Sequence, residues 1–275
     1  MIKNTLLNTK KSTFAIVAES GGIFHPFGTG FLISSDGWFV TAAHVLFDLQ
    51  TRKPQFNHGS IILMRDAFDE QRAGNSTCCY GAVHEVVFEQ DFALLKIDEK
   101  ELENSKWLED GKMNHLIVSE QSLQEADDVY SYGYPLSQGI LVASGSTIDI
   151  HTINPDGKKF SINTSVQSLC PRITSAIVSS IVEHSIKPAC DCPDTYILDK
   201  ALNYGNSGGP IISSETGFVH AFCSSFQLVF IPQNHITGAT IPNVMIPSLY
   251  GVVKSLGVKS VIDILKGHGI AYHSK

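Results

Sequence analysis

From residue 13 to residue 226 the chain is a succession of short β-branched or aromatic runs, each cut off by Gly, Pro, Asn or Asp. "TFAIVAE", "GTGFLIS", "GWFVTAA", "SIILMRD", "HEVVFEQ" and "FALLKID" fall in the first hundred residues. "DVYSYGYP", "GILVASGSTIDIHTI", "KFSINTSVQSL", "AIVSSIVEH", "GPIISS" and "GFVHAFCSSF" follow. Many short strands at fairly even spacing predict an all-β barrel or sandwich. Long helices do not alternate with them, which disfavours a doubly wound α/β sheet. "NPDG" at 154–157 has tight-turn chemistry between two strand-like runs and predicts a hairpin. The polar stretch 119–128 suits a connector between two halves. Near the end, "MIPSLYGVVKSLG" and "KSVIDILKGHG" predict helix, the first from Pro247 near a first turn and the second from its terminal glycine.

At 275 residues the chain can bury a real core. Its net charge of -7 offers no basic footprint for nucleic acid. No apolar run approaches the roughly 20 residues of a membrane-spanning helix, and the N-terminus lacks the pattern of a cleaved secretory signal. A cytoplasmic location is expected, with no membrane or nucleic-acid partner and no cofactor. Of the six cysteines, Cys78/Cys79 and Cys190/Cys192 sit too close together to resemble a disulfide scaffold. Neither pair has common zinc-knuckle spacing. Reduced thiols and no metal are the expectation.

"GNSGGP" at 205–210 surrounds Ser207 with backbone freedom. A serine hydroxyl needs a general base to attack a carbonyl, and N–H donors to hold the oxyanion that follows. Glycines let Gly205 and Ser207 aim their N–H groups at one point, across Asn206. A Gly-rich turn that happens to hold a serine gives the same letters. So does the G-x-S-x-G elbow of α/β hydrolases, but the elbow needs a helix straight after the serine, and "GGPIISS" reads as strand. The base candidate is His44, where a β-run ends in two alanines. His58, His115 and His151 stand in ordinary contexts, and His220 lies inside an apolar strand. The acid candidate is Asp91, opening "FALLKI". Each of these alone is more often structural. Together they run His, Asp, Ser along the chain, the order of trypsin-like triads.

With those residues in view, "GTGFLISSDGWFVTAAHV", "DFALLKI", "ILDKALNYGNSGGPII" and "GATIPNVMI" resemble trypsin-like serine peptidases, and within them the high-temperature-requirement (Deg) branch, over most of residues 12–250. The resemblance implies two packed antiparallel six-stranded Greek-key β-barrels with the active site between them. It implies endopeptidase activity through an acyl-enzyme, with His44 as base, Asp91 as orienting acid and Ser207 as nucleophile. Gly205, Asn206 and Ser207 would form the oxyanion hole. A protein or peptide substrate would add as a strand beside Ala221, Phe222, Cys223 and Ser224, with Ala201 at the base of a pocket for a small or medium apolar residue. The domains expected are 12–120 for the first barrel, 121–245 for the second with an inserted hairpin at about 139–170, and 246–275 for a C-terminal helical segment. Asn206 replaces the aspartate that digestive members pair with a new N-terminus, so activation by N-terminal cleavage is not expected. The hairpin is expected to tune access or specificity, and no PDZ module is expected after the second barrel. A catalytically silent peptide-binding module on the same fold, or an esterase, is the alternative.

Overall fold

A computed structural model describes residues 2–20, 23–56, 61–66, 75–79, 82–103, 105, 107–135, 147–153, 159–165, 171–182, 194–231 and 244–274. The architecture is mostly β, in two antiparallel units. The first contains β1 (Thr13–Ser20), β2 (Ile23–Leu32), β3 (Trp38–Ala42), β4 (Ile61–Asp66), β5 (Asn75–Cys79), β6 (Ala82–Val87) and β7 (Phe92–Lys96). Six strands run in the order β4-β1-β2-β3-β7-β6, and β5 is added outside β4. Two short helices, α2 (Ala43–Leu46) and α3 (Glu99–Glu103), follow β3 and β7. A small hairpin joins β8 (Leu108–Glu109) to β9 (Lys112–Met113). Its turn, Asp110-Gly111, has φ of 51° and 75°, the left-handed pair that an Asp-Gly hairpin turn needs.

The second unit holds β10 (Val118–Ser119), β11 (Asp128–Gly133), β14 (Arg172–Val182), β15 (Thr195–Leu198), β16 (Pro210–Ser213), β17 (Val219–Ile231), β18 (Val244–Ser255) and β19 (Tyr272–His273). Six of these close a ring, β16-β11-β14-β15-β18-β17, because β17 pairs back onto β16. β10 and β19 extend the β17 side as parallel strands. Between β11 and β14, β12 (Thr147–Ile153) and β13 (Lys159–Ser165) form a separate two-stranded hairpin with Thr147 opposite Ser165. The turn residues 154–158 of that expected hairpin, and Cys170, Cys190 and Cys192, lie outside the described residues.

The strands form where the sequence alternates or saturates with apolar residues that both faces can bury. β3 is buried throughout. Around it Phe14, Phe31, Phe39, Phe92 and Trp107 fill one core, with Phe14 edge-on to Phe39 at 5.2 Å. A second core, with Val129, Val178, Tyr196, Ile211, Cys223 and Val253, fills the closed ring. Ala15, Val17, Ile62 and Met64 of β1 and β4 pack against Tyr132 and Tyr134. That cluster joins the two units behind the site described below.

Two expectations about the termini change. "MIPSLYGVVKS" is not helical: it is strand β18, so the boundary at 245/246 cuts through the second barrel. Its pattern is apolar on both faces, which suits a strand held between β15 and β17. Pro247 is tolerated because β15 pairs only with Gly251–Lys254, so the proline lies past that partner. Gly251 is needed because a Cβ there would meet the Lys200 carbonyl at 2.7 Å. "KSVIDILKGHG" does form helix, α4 (Lys259–Gly267), with Val261, Ile262 and Leu265 buried.

At the other end, Ile2–Ser12 is helix α1, which the sequence reading did not predict. Its anchors are polar, and hydrophobic periodicity does not report them. Asn8 Nδ2 donates to the His115 carbonyl at 2.9 Å. Thr9 Oγ1 and the Tyr130 hydroxyl are 3.3 Å apart. The Arg65 guanidinium donates to the Lys11 carbonyl, and Lys11 Nζ pairs with Glu109 at 2.6 Å.

Candidate active site

His44 and Asp91 meet because of strand register. β3 and β7 pair antiparallel with Ala42 opposite Phe92. The residues just beyond that pair, His44 in α2 and Asp91 before β7, therefore emerge on the same edge. Asp91 takes a left-handed conformation, φ 53°, at the end of a single helical turn formed by Phe88–Gln90. The Ala43 N–H donates to the Asp91 carbonyl at 2.7 Å. The His44 N–H donates to Asp91 Oδ1 at 2.8 Å, and His44 Nδ1 lies 2.7 Å from Asp91 Oδ2. Against a carboxylate, Nδ1 carries the ring proton and Nε2 keeps its lone pair. The imidazole is 31% exposed while the carboxylate is 7% exposed, so the ring reaches solvent from a buried anchor. Gln55 Nε2 donates to the His44 carbonyl at 2.6 Å and ties down α2.

The serine loop enters from the second unit. Gly205 and Gly208 have φ of 90° and 82°, which a residue with a Cβ resists. A Cβ on Gly208 would also run into the Thr29 carbonyl, the Thr41 hydroxyl and the Ala42 nitrogen. Gly208 N–H donates to the Cys223 carbonyl at 2.7 Å and Cys223 N–H to the Gly209 carbonyl at 2.8 Å, seating the loop on β17. Ser207 is half-buried. Its carbonyl accepts the Thr29 N–H at 2.8 Å. A Cβ built on Gly28 would touch Val45, the neighbour of His44, at 2.6 Å and the Ser207 carbonyl at 2.9 Å. Ser207 is thus packed beside the start of α2. Among the described residues, the N–H groups of Gly205 and Ser207 and the Ser207 hydroxyl have no hydrogen-bond partner.

Ser224 supplies the link between the halves. Its hydroxyl donates to Asp91 Oδ2 at 2.6 Å. The buried carboxylate therefore receives three donors, from His44 N–H, His44 Nδ1 and Ser224. Phe92 and Phe222 face each other beneath, with centroids 6.4 Å apart.

The other expected positions fall as follows. Ala221, Phe222 and Cys223 are interior to the sheet. Ala221 and Phe222 pair with β16 on one side and β18 on the other. Cys223 bonds to Gly208 and Gly209 on one side and pairs with Val253 on the other. These three have no free edge for an added strand; the edge facing the serine opens at Ser224, beyond the last β16 pair. Burial, with the Asp91 charge beside it, pushes the Cys223 thiol well up from its usual range. Ala201 is half-buried on the segment leading to the serine. Asp199 turns away from it, accepting the Ile177 N–H at 2.7 Å. No cluster of three or more metal-ligating side chains occurs among the described residues. Thr29, Gln55 and Gly133 shape the site and were not singled out in the sequence. The pattern "GTG" was the local signal for Thr29, and it reads equally well as plain strand.

The fold and this arrangement define a class. The model of the trypsin-like peptidase domain matches residues 28–221. The chain belongs to that family. Its fold is similar to that of the HtrA-type protease AlgW, solved with a decapeptide, with 12% identity and a TM-score of 0.55, covering 97% of this chain and 67% of AlgW. A serine endoprotease from Yersinia pestis matches at 15% identity and a TM-score of 0.52, over 98% of this chain and 66% of its own. The MamO protease domain from Magnetospirillum magneticum, in its apo form, matches at 11% identity and 0.52, over 95% and 97%. This chain thus spans about two thirds of the AlgW and Yersinia proteins.

Proposed function

We propose that the protein is a serine endopeptidase working through His44, Asp91 and Ser207. The observation that carries this is the His44–Asp91 pair at 2.7 Å beside the serine loop. A base oriented by a carboxylate beside a serine is the arrangement that activates a serine nucleophile. In this reading Nε2 takes the Ser207 proton as Oγ attacks the scissile carbonyl. The imidazolium is stabilised by Asp91, which stays ionised. The N–H groups of Gly205 and Ser207, unpaired among the described residues, receive the oxyanion. Nε2 then protonates the leaving amine, and water repeats the sequence on the acyl-enzyme.

The substrate is a peptide in extended form, laid along β17 from Ser224 onward. The peptide complexes of AlgW are consistent with that class of ligand. Ala201 brings no charge to the pocket before the serine, which favours a small or medium apolar residue at the cleaved bond. Ser207→Ala is expected to abolish turnover of a peptide library, and Asp91→Asn to lower kcat by about four orders of magnitude. Hydrolysis that persists in Ser207→Ala contradicts the proposal. Cleavage of activated esters without any cleavage of peptides would point to an esterase instead.

A further inference from the structure

We propose that Thr29, on β2, is the positioning residue that holds the oxyanion loop in register; this rests on the peptidase reading above. The loop from Asn203 to Pro210, "NYGNSGGP", has no charged side chain, so no ion pair can fix it. Hydrogen bonds must do so; Cys223 holds the loop on the β17 side, and on the side of the first unit two of them come from one residue. The Thr29 N–H donates to the Ser207 carbonyl at 2.8 Å. Its Oγ1 donates to the Gly205 carbonyl at 2.7 Å. The same oxygen accepts the Tyr134 N–H at 3.0 Å, and the Thr29 carbonyl accepts the Thr41 hydroxyl at 2.8 Å. Thr29 is fully buried, so all of its polar groups are satisfied within the protein.

The effect is on peptide orientation. The Gly205–Asn206 peptide is held at both ends, its carbonyl by Thr29 Oγ1 and its N–H by the Asn203 carbonyl at 3.0 Å. The Ser207–Gly208 peptide is held likewise, its carbonyl by the Thr29 N–H and its own N–H by Cys223. Between them the Asn206 carbonyl accepts the Gly209 N–H at 2.8 Å. In a trans peptide the N–H points opposite the carbonyl, so the Ser207 N–H is turned the other way and left free. Asn206 fits beneath because Gly133 has no side chain; a Cβ there would lie 2.5 Å from Asn206 Oδ1 and 3.3 Å from Thr29 Oγ1. β2 can offer Thr29 to the loop because its pairing with β3 covers only Phe31 and Leu32.

The test compares wild type, Thr29→Val, Thr29→Ser and Thr29→Ala on one peptide substrate, with thermal unfolding alongside. Valine keeps the shape and the backbone N–H and removes only the hydroxyl. The expected result is a fall in kcat of up to roughly 100- to 1000-fold, the range of losing one oxyanion donor, with KM changed less than about twofold. The rate of Ser207 labelling by a fluorophosphonate should fall in parallel, and Thr29→Ser should restore both. Thr29→Ala, which overpacks nothing, should behave as valine does should the valine variant fail to fold. Equal activity in all four proteins overturns the proposal. So does a rise in KM at constant kcat, or a serine variant as impaired as valine, which would make the methyl group responsible. A wild type with no reactive Ser207 overturns the peptidase reading and this one with it; a reactive wild type with an equally reactive Thr29→Val overturns this one alone.

Discussion

Asp91 is where both halves of the molecule and the site meet. A carboxylate this buried needs its oxygens occupied, and here both oxygens are used by three donors. One of them, Ser224, comes from the opposite barrel. Ser224→Ala leaves Oδ2 with the imidazole alone. A hydrogen bond to a charged group is worth about 1.5–3 kcal/mol, so kcat is expected to fall roughly 10- to 100-fold, with the stability of the folded protein lowered as well. Steady-state kinetics and urea unfolding of that variant check both effects, and unchanged values in both would remove Ser224 from the site. At this scale the letters and order of His44, Asp91 and Ser207 singled them out as candidates, and the structure brings His44 and Asp91 together. It was not legible for Thr29 or Gln55, whose roles depend on where β2 and the 47–56 segment lie in space. Ser224 was chosen as a substrate contact, and the hydrogen bond from its hydroxyl to Asp91 was not foreseen.

The elements divide into those that build the crevice and those that border it. The register of β3 on β7 and the end of β16 at Pro210 decide which side chains and which strand edge face the serine. The β12–β13 hairpin does none of this, since among the described residues it pairs only with itself. It stands on the connection between β11 and β14, two strands of the barrel that carries Ser207. A segment that contributes no strand to either barrel is free to serve selection of substrate. Replacing residues 147–165 by a short turn is expected to leave the fold and Ser207 reactivity in place and to change the order of preference across a peptide library. An unchanged order would make the hairpin irrelevant to specificity. Most of the longer strands were legible as short apolar runs. β18 was not: it contains Pro247 and reads locally as a helix start, and only pairing on both sides makes it a strand. α1 was missed for the opposite reason, since asparagine, threonine, lysine and arginine contacts, and not an apolar stripe, hold it.

At the scale of the whole molecule, stability is expected to depend on pH through a buried histidine that the catalytic reading does not use. His220 is 4% exposed, with Nδ1 donating to the Gln121 carbonyl at 2.8 Å and Nε2 buried with no partner among the described residues. Burial holds its pKa below the usual 6.5. The unfolded chain takes up a proton on this ring below about pH 6.5 and the folded protein resists, so stability is lost as pH falls from there toward the folded value. The midpoint of urea unfolding should drop over that interval, and His220→Asn should flatten the drop. A midpoint independent of pH between 7 and 5 would contradict this account. None of it was visible in the sequence, where His220 was one more residue in an apolar strand.

A serine peptidase requires His44, Asp91 and the serine loop to form an assembled, reactive site. Labelling the full chain with a fluorophosphonate probe, and mapping the adduct by mass spectrometry in wild type, Ser207→Ala and His44→Ala, tests this at the nucleophile itself. An adduct is expected on Ser207 in wild type and none in either variant. A folded wild type that takes no label, or one labelled equally well without His44, would contradict it.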